Sequence, residues 1–157
     1  MLKAGQNAPD FEALLDDGST IRLKDYRGEK NVVLYFYPAD FSAGCTAQAC
    51  SFRDSYAAIA GYDAIIAGVS RDSAQSHRDF KAKHHLPYPI ITDPEGRLEQ
   101  LYDVKTSLPL IRPRVTYVID KAGVIRSALR HDIAIGRHLR DTLDALEAIK
   151  AQDTPAI

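Results

Sequence analysis

Tyr35-Phe36-Tyr37-Pro38-Ala39-Asp40-Phe41-Ser42-Ala43-Gly44-Cys45-Thr46-Ala47-Gln48-Ala49-Cys50-Ser51-Phe52-Arg53-Asp54 carries both cysteines of the 157-residue chain. Val32 to Tyr37 is an unbroken apolar, β-branched and aromatic run, which reads as a strand buried on both faces and ended by Pro38. Beyond it, Phe52, Tyr56, Ile59 and Ala60 recur at helical spacing and predict a helix from about Cys45 to a stop at Gly61. Cys45 thus falls where a central strand passes into the first turn of a helix. Unpaired N–H groups and the positive end of the helix dipole favour a thiolate there, and the thiolate is the reactive form of cysteine. Ser42 is suited to cap that helix, and Gly44 to let a ligand approach the backbone.

Upstream, Phe11 to Leu15 and Thr20 to Leu23 flank the turn Asp16-Asp17-Gly18-Ser19 and predict an N-terminal β-hairpin. Lys24 to Gly28 follows as one helical turn. Downstream, Ala64 to Val69 reads as a strand parallel to the central one, since a helix crosses between them. Ser70 to Ser73 offers caps for a helix to about His85, which Leu86-Pro87-Tyr88-Pro89 breaks. Ile90 to Thr92 is a short strand, and Asp93-Pro94-Glu95 caps a short helix to about Tyr102. Lys105 to Pro113 is a proline-containing loop. Val115 to Ile119 and Val124 to Leu129 form a second hairpin. A last helix from Gly136 to Lys150 carries the stripe Leu139, Leu143, Leu146 and Ile149. This order predicts an α/β three-layer sandwich around a mixed sheet. Residues 1–150 are expected to form one domain and 151–157 a frayed tail.

Twenty basic and 21 acidic residues give a formal net charge of −1, with no electrostatic case for nucleic acid or a membrane surface. The N-terminus lacks an apolar leader and no apolar run reaches bilayer length, so a cytoplasmic protein is expected. In that compartment two cysteines are reactive rather than structural. They cannot complete a zinc site, and no histidine pair has finger-like spacing, so no metal or cofactor is expected. No long exposed apolar edge is apparent, and a monomer is expected.

Three separated segments resemble one family: Gly5-Gln6-Asn7-Ala8-Pro9-Asp10-Phe11 with Asp17-Gly18, then Tyr37-Pro38 through Cys45 and Cys50 to Asp54, then Arg114-Val115-Thr116-Tyr117-Val118-Ile119-Asp120 with Gly123. The chain resembles peroxiredoxins of the bacterioferritin comigratory protein, or PrxQ, type. The resemblance implies a thioredoxin-like fold and reduction of hydroperoxides at a cysteine. The family's Pro-x-x-x-Thr-x-x-Cys pattern falls on Pro38, Ser42 and Cys45, with serine in place of threonine; its active-site arginine falls on Arg114. Ala43 stands where a proline is common. A second cysteine five residues on resolves the sulfenic acid in one subgroup, which maps to Cys50, and thioredoxin is the implied reductant.

In the chemistry so implied, a Cys45 thiolate attacks a hydroperoxide to give Cys–SOH and an alcohol or water. Arg114, the Ser42 hydroxyl and the Cys45 N–H would stabilise the charge spread over sulfur and oxygens, and Pro38 would shape the pocket. On an ideal helix the Cα atoms of Cys45 and Cys50 lie about 8–9 Å apart, beyond the roughly 7 Å limit for a disulfide. If they bond, the first turns must unwind. Gln48 either orients polar groups near the site or faces solvent, and Arg53 with Asp54 reads as a helix-surface pair. His77, His84, His85, His131 and His138 are all read as solvated surface residues. The absence of a Cys-x-x-Cys pair argues against a disulfide oxidoreductase. The remaining alternative is a non-enzymatic redox sensor, which would oxidise once instead of turning over.

Overall fold

The computed structural model describes residues 1–104, 113–132 and 134–153. Its strands are β1 (Glu12–Leu15), β2 (Thr20–Arg22), β3 (Asn31–Phe36), β4 (Ala64–Ser70), β5 (Ile90–Thr92), β6 (Val115–Ile119) and β7 (Ile125–Arg130). They form one seven-stranded sheet in the order β2-β1-β5-β4-β3-β6-β7. The central β3 pairs parallel with β4 and antiparallel with β6. All six residues of β3 are buried, as expected for an apolar run with covered faces. The N-terminal hairpin joins the sheet through antiparallel pairing of β1 with β5, and β6 and β7 form the second hairpin. Gly123 makes the turn between them at φ +83°, a conformation that costs a residue with a Cβ.

Period-two alternation splits the core. Val33, Tyr35 and Tyr37 face one way and pack with Cys45, Ala49 and Phe52 of α1 (Ala43–Asp54), Ile59 of α2 (Tyr56–Ala60), Phe80 of α3 (Ala74–His84), and Leu146 and Ile149 of α5 (Gly136–Asp153). Val32, Leu34 and Phe36 face the other way, against Leu98 of α4 (Arg97–Leu101), Tyr102 and the N-terminal segment. The mixed sheet is therefore covered on both sides, giving the three-layer, thioredoxin-like architecture, with the thicker layer on the cysteine side.

Several boundaries differ from those read in the sequence. The helix expected to run from Cys45 to Gly61 begins at Ala43 and is interrupted at Ser55, whose N–H turns to the carbonyls of Ser51 and Arg53. Beyond that break the stripe divides: Ile59 stays fully buried, whereas Tyr56 is 37% exposed and Ala60 is exposed. The last helix continues to Asp153, beyond the expected start of a tail, and its buried face is His138, Thr142, Leu146 and Ile149, with Leu139 and Leu143 only partly buried. Residues 105–112 of the expected proline-containing loop and residues 154–157 lie outside the described residues. No helix among those described is long and apolar enough to cross a membrane.

Candidate active site

Ser42 sits at the N-cap of α1 in extended conformation. Its Oγ accepts from the Cys45 N–H at 3.3 Å and donates to the Ala39 carbonyl at 3.2 Å. The cap expected from sequence is present, and in this state it also occupies both donors anticipated for substrate, the Ser42 hydroxyl and the Cys45 amide. A peroxide oxygen that used either would replace an internal hydrogen bond of the loop.

Cys45 is 1% exposed. Arg114, just before β6, reaches across the sheet and donates from Nη2 to Cys45 Sγ at 3.3 Å. The guanidinium is itself buried and bonded at both terminal nitrogens, and the backbone of the residue is anchored as well. Nη1 donates to Gln48 Oε1 at 2.5 Å, and the Arg114 backbone N–H donates to Asp132 Oδ1 at 3.0 Å. Arg114 is a positive group fixed at the sulfur rather than a swinging surface charge, which is the preorganisation that stabilises developing negative charge. Gly44 permits this arrangement. A Cβ there would lie 2.9 Å from Ile135 Cδ1 and 3.1 Å from Arg114 Nη2. The glycine thus admits the arginine, where the sequence reading had it admit a ligand.

Gln48, whose solvent-facing option stayed open in the sequence, is fully buried. It lies one turn beyond Cys45 on the face shared with Ala49 and Phe52. Pro38 is half-buried at the start of the loop that leads to Cys45, and Cys50 is half-buried further along α1. Both cysteines are free thiols.

Residues 4–128 match the AhpC/TSA family. The chain is 40% identical to peroxiredoxin Bcp of Bacillus subtilis over 154 residues, covering 93% of this chain and 96% of the relative. It superimposes on the crystal structure of peroxidoxin BcpB from Mycobacterium tuberculosis with a TM-score of 0.88 at 30% identity, covering 95% of this chain and 99% of that one. The bacterioferritin comigratory protein of Xanthomonas campestris, described by its alkyl peroxide reduction activity, gives a TM-score of 0.82 at 28% identity, over 88% of this chain and 91% of that one.

The chain belongs to the AhpC/TSA family, among its Bcp and PrxQ peroxiredoxins. This peroxiredoxin is accordingly a thiol peroxidase.

Beneath α1 the peroxiredoxin carries a short chain of buried phenols. The Tyr35 and Tyr88 hydroxyls are 2.8 Å apart, and Tyr88 OH donates to the Ala49 carbonyl at 3.0 Å, between the two cysteines. Burial pushes both phenols well above their ordinary range, so they remain neutral donors. Gly68 makes room for them, since a Cβ would stand 3.1 Å from the Tyr35 ring and hydroxyl. Arg53 ties the same helix to α3 by donating to the His84 carbonyl at 2.8 Å, besides its 3.0 Å pair with Asp54.

Two of the five histidines are not on the surface: His77 and His138 are each 0% exposed. His138 Nδ1 lies 2.8 Å from Thr116 Oγ1, and its Nε2 donates to the His131 carbonyl at 2.8 Å. It thereby fixes the start of α5 against β6 next to Arg114. Burial is the main cause that pushes the His138 pKa down. His77 Nδ1 lies 2.7 Å from Asp40 Oδ2. A sequence signal for His77 existed in its position three residues before Phe80, on the inward face of α3. Asp40 and Asp132, both in connecting segments, carried none.

Proposed function

We propose that this peroxiredoxin reduces hydrogen peroxide and organic hydroperoxides through Cys45, with Cys50 resolving the oxidised sulfur and a thioredoxin-type dithiol completing the cycle. The observation that carries the reading is the buried Arg114 guanidinium at 3.3 Å from Cys45 Sγ, at the N-terminus of α1. Cys45 as thiolate attacks the terminal oxygen of ROOH. The S–O bond forms as the O–O bond breaks, giving Cys45–SOH and RO⁻, which takes up a proton and leaves as alcohol or water. Arg114 follows the charge from sulfur to oxygen, while Gln48 holds the guanidinium at Nη1 and Asp132 holds the Arg114 backbone N–H. Pro38 and Ser42 frame the approach to the sulfur from the loop side.

In the second step the Cys50 thiol attacks Cys45–SOH, the S–S bond forms and water leaves. Both cysteines ride on α1, too far apart along an intact helix to bond, so this step requires α1 to unwind from its N-terminal end. The break at Ser55 supports a local event, because α1 ends there and α2 can stay packed through Ile59. Two reductant thiols then return Cys45 and Cys50 to the dithiol state. The alkyl peroxide activity ascribed to the Xanthomonas relative supports organic hydroperoxides as substrates beside hydrogen peroxide.

The test is peroxide consumption driven by thioredoxin, thioredoxin reductase and NADPH, comparing wild type with Cys45→Ser and Cys50→Ser. Consumption is expected to vanish in Cys45→Ser. In Cys50→Ser, oxidation stops after one equivalent unless another thiol is supplied. A Cys45→Ser protein that still consumes peroxide removes Cys45 from the reaction, and a wild type that reacts only once without turnover favours the sensor.

A further inference from the structure

The segment between β3 and α1 holds Pro38 and Ser42 on either side of Asp40, a carboxylate that the chemistry above leaves unused. Asp40 is a loop residue, yet its side chain is 1% exposed. Its Oδ1 accepts from the Tyr37 hydroxyl at 2.5 Å, and its Oδ2 accepts from Ser76 Oγ at 2.8 Å and His77 Nδ1 at 2.7 Å. Its backbone N–H donates to Asp72 Oδ2 at 2.8 Å, and that oxygen also accepts from Ser70 Oγ at 2.7 Å. Asp40, Asp72 and His77 bring ligand-type atoms within 4.8 Å of one another, but these atoms are already engaged by donors of the chain. The cluster is a clamp between the loop, the end of β4 and the first turn of α3.

The residue after Asp40 shows what the clamp holds. Phe41 adopts φ +65°, an uncommon conformation for an aromatic residue that persists only when its surroundings enforce it. This left-handed turn lets Ser42 reach its own partners, the Cys45 N–H and the Ala39 carbonyl. His77 supplies the donor from α3. Its Nε2 is buried with no partner among the described residues, so the bond from Nδ1 to Asp40 is what its polarity serves.

We infer that His77 and Asp40 are positioning residues of the peroxidase: through the Asp40 carboxylate, His77 fixes the Phe41 turn and hence the alignment of Ser42 and Pro38 around Cys45. The inference rests on Cys45 being the peroxide-reactive thiol. The residues touch neither peroxide nor sulfur, and act by keeping the loop in one register on α3. Misplacement of a reacting group by about 1 Å is sufficient to slow a step by up to roughly 100-fold.

The experiment uses the full chain with Cys50→Ser, so that each molecule reacts once, and measures the second-order rate of Cys45 oxidation by hydrogen peroxide. His77→Leu removes the donor at similar bulk, whereas His77→Asn keeps an N–H near the position of Nδ1. Expected is a fall of roughly 10- to 100-fold in His77→Leu, with recovery to within about threefold of the background in His77→Asn. Iodoacetamide alkylation of Cys45, which reads how often the loop opens, is expected to stay within about twofold in both. A peroxide rate in His77→Leu equal to the background overturns the inference. So does an equal loss in His77→Asn, or a slower peroxide reaction accompanied by faster alkylation and a lower melting temperature, which is the signature of a merely structural residue. If His77→Leu fails to fold, Ser76→Ala decides, since it removes a half-buried donor to the same oxygen and is expected to slow oxidation about fivefold; an unchanged rate there overturns the inference. A separate Cys45→Ser control, with Cys50 intact, distinguishes failure of this inference from failure of the Cys45 assignment, because only the latter leaves peroxide consumption in that variant.

Discussion

Gly44→Ala separates the Arg114 contact from the stability of the fold. The new methyl would meet Ile135 Cδ1 at 2.9 Å and Arg114 Nη2 at 3.1 Å, both tighter than ordinary contact. Ile135 ends in a flexible, partly buried side chain and can rotate away. Arg114 is held at Nη1 by Gln48, so the crowding is relieved by a shift of a few tenths of an ångström at Nη2, the nitrogen that donates to the sulfur. A hydrogen bond involving a charged group contributes about 1.5–3 kcal/mol. Forfeiting roughly half of it costs about 1–1.5 kcal/mol, or a 5- to 10-fold slower reaction. Crowding costs stability, typically about 1–3 kcal/mol before relaxation. Alanine for glycine in a helix returns up to about 1 kcal/mol, and the movement of Ile135 relieves much of the remainder. The expectation is thus a 5- to 10-fold loss in the single-turnover rate of Cys45 oxidation, with a melting temperature within about 4 °C of wild type. Rapid-mixing kinetics with hydrogen peroxide, beside a thermal melt, read both. A rate within twofold of wild type would refute the reasoning, because the guanidinium would then have been displaced without consequence.

Arg114→Lys should slow Cys45 oxidation about 100-fold despite retaining the charge, since a lysine cannot bridge Gln48 and the sulfur with a fixed fork; a peroxide titration checks this. Tyr88→Phe removes the donor to the Ala49 carbonyl and leaves the Tyr35 hydroxyl with one partner fewer, for a cost of about 1 kcal/mol. Amide exchange within α1 should then quicken, and the disulfide should form faster after oxidation. His138 has its pKa lowered mainly by burial, so on acidification the unfolded chain takes up a proton near the ordinary pKa of about 6.5 while the folded chain does not. Stability contributed by neutral His138 is therefore full above that pH and falls as pH drops below it. Urea unfolding at pH 8 and pH 5.5 should show a smaller difference in His138→Asn than in wild type.

The strands were legible because burial on both faces leaves an unmistakable composition. Val32 to Tyr37, Ala64 to Val69 and Val115 to Ile119 need apolar side chains at almost every position. Cys45, Ser42 and Arg114 were legible through the resemblance, and the structure brings all three together. The break at Ser55 was not, because no glycine or proline marks it; the helix stops when a serine amide turns back on two carbonyls. Gln48, His77 and His138 were undervalued for a common reason. Their partners lie 66, 37 and 22 positions away in sequence, so the bonds that make burial affordable exist only once the sheet has formed. Spacing alone could have flagged them as inward-facing, but periodicity identifies a face without saying which polar group waits behind it.

The sheet's two margins also bear on how crowded copies of the molecule behave. A net charge of −1 provides little mutual repulsion. Yet both outermost strands present an edge of the sort that templates fibrils and precipitates, although at the start of β7 Ile125 exchanges main-chain hydrogen bonds with Gly5 and Gln6. One is the three-residue β2, with Arg22 at its end, and the other is β7, which carries Arg126 and Arg130. Brevity on one side, and on the other the cover of Gly5 and Gln6 followed by guanidinium groups, stand against stacking of one sheet onto the next, so neutral replacements at Arg126 and Arg130 would show their cost as turbidity at high concentration before any change in turnover.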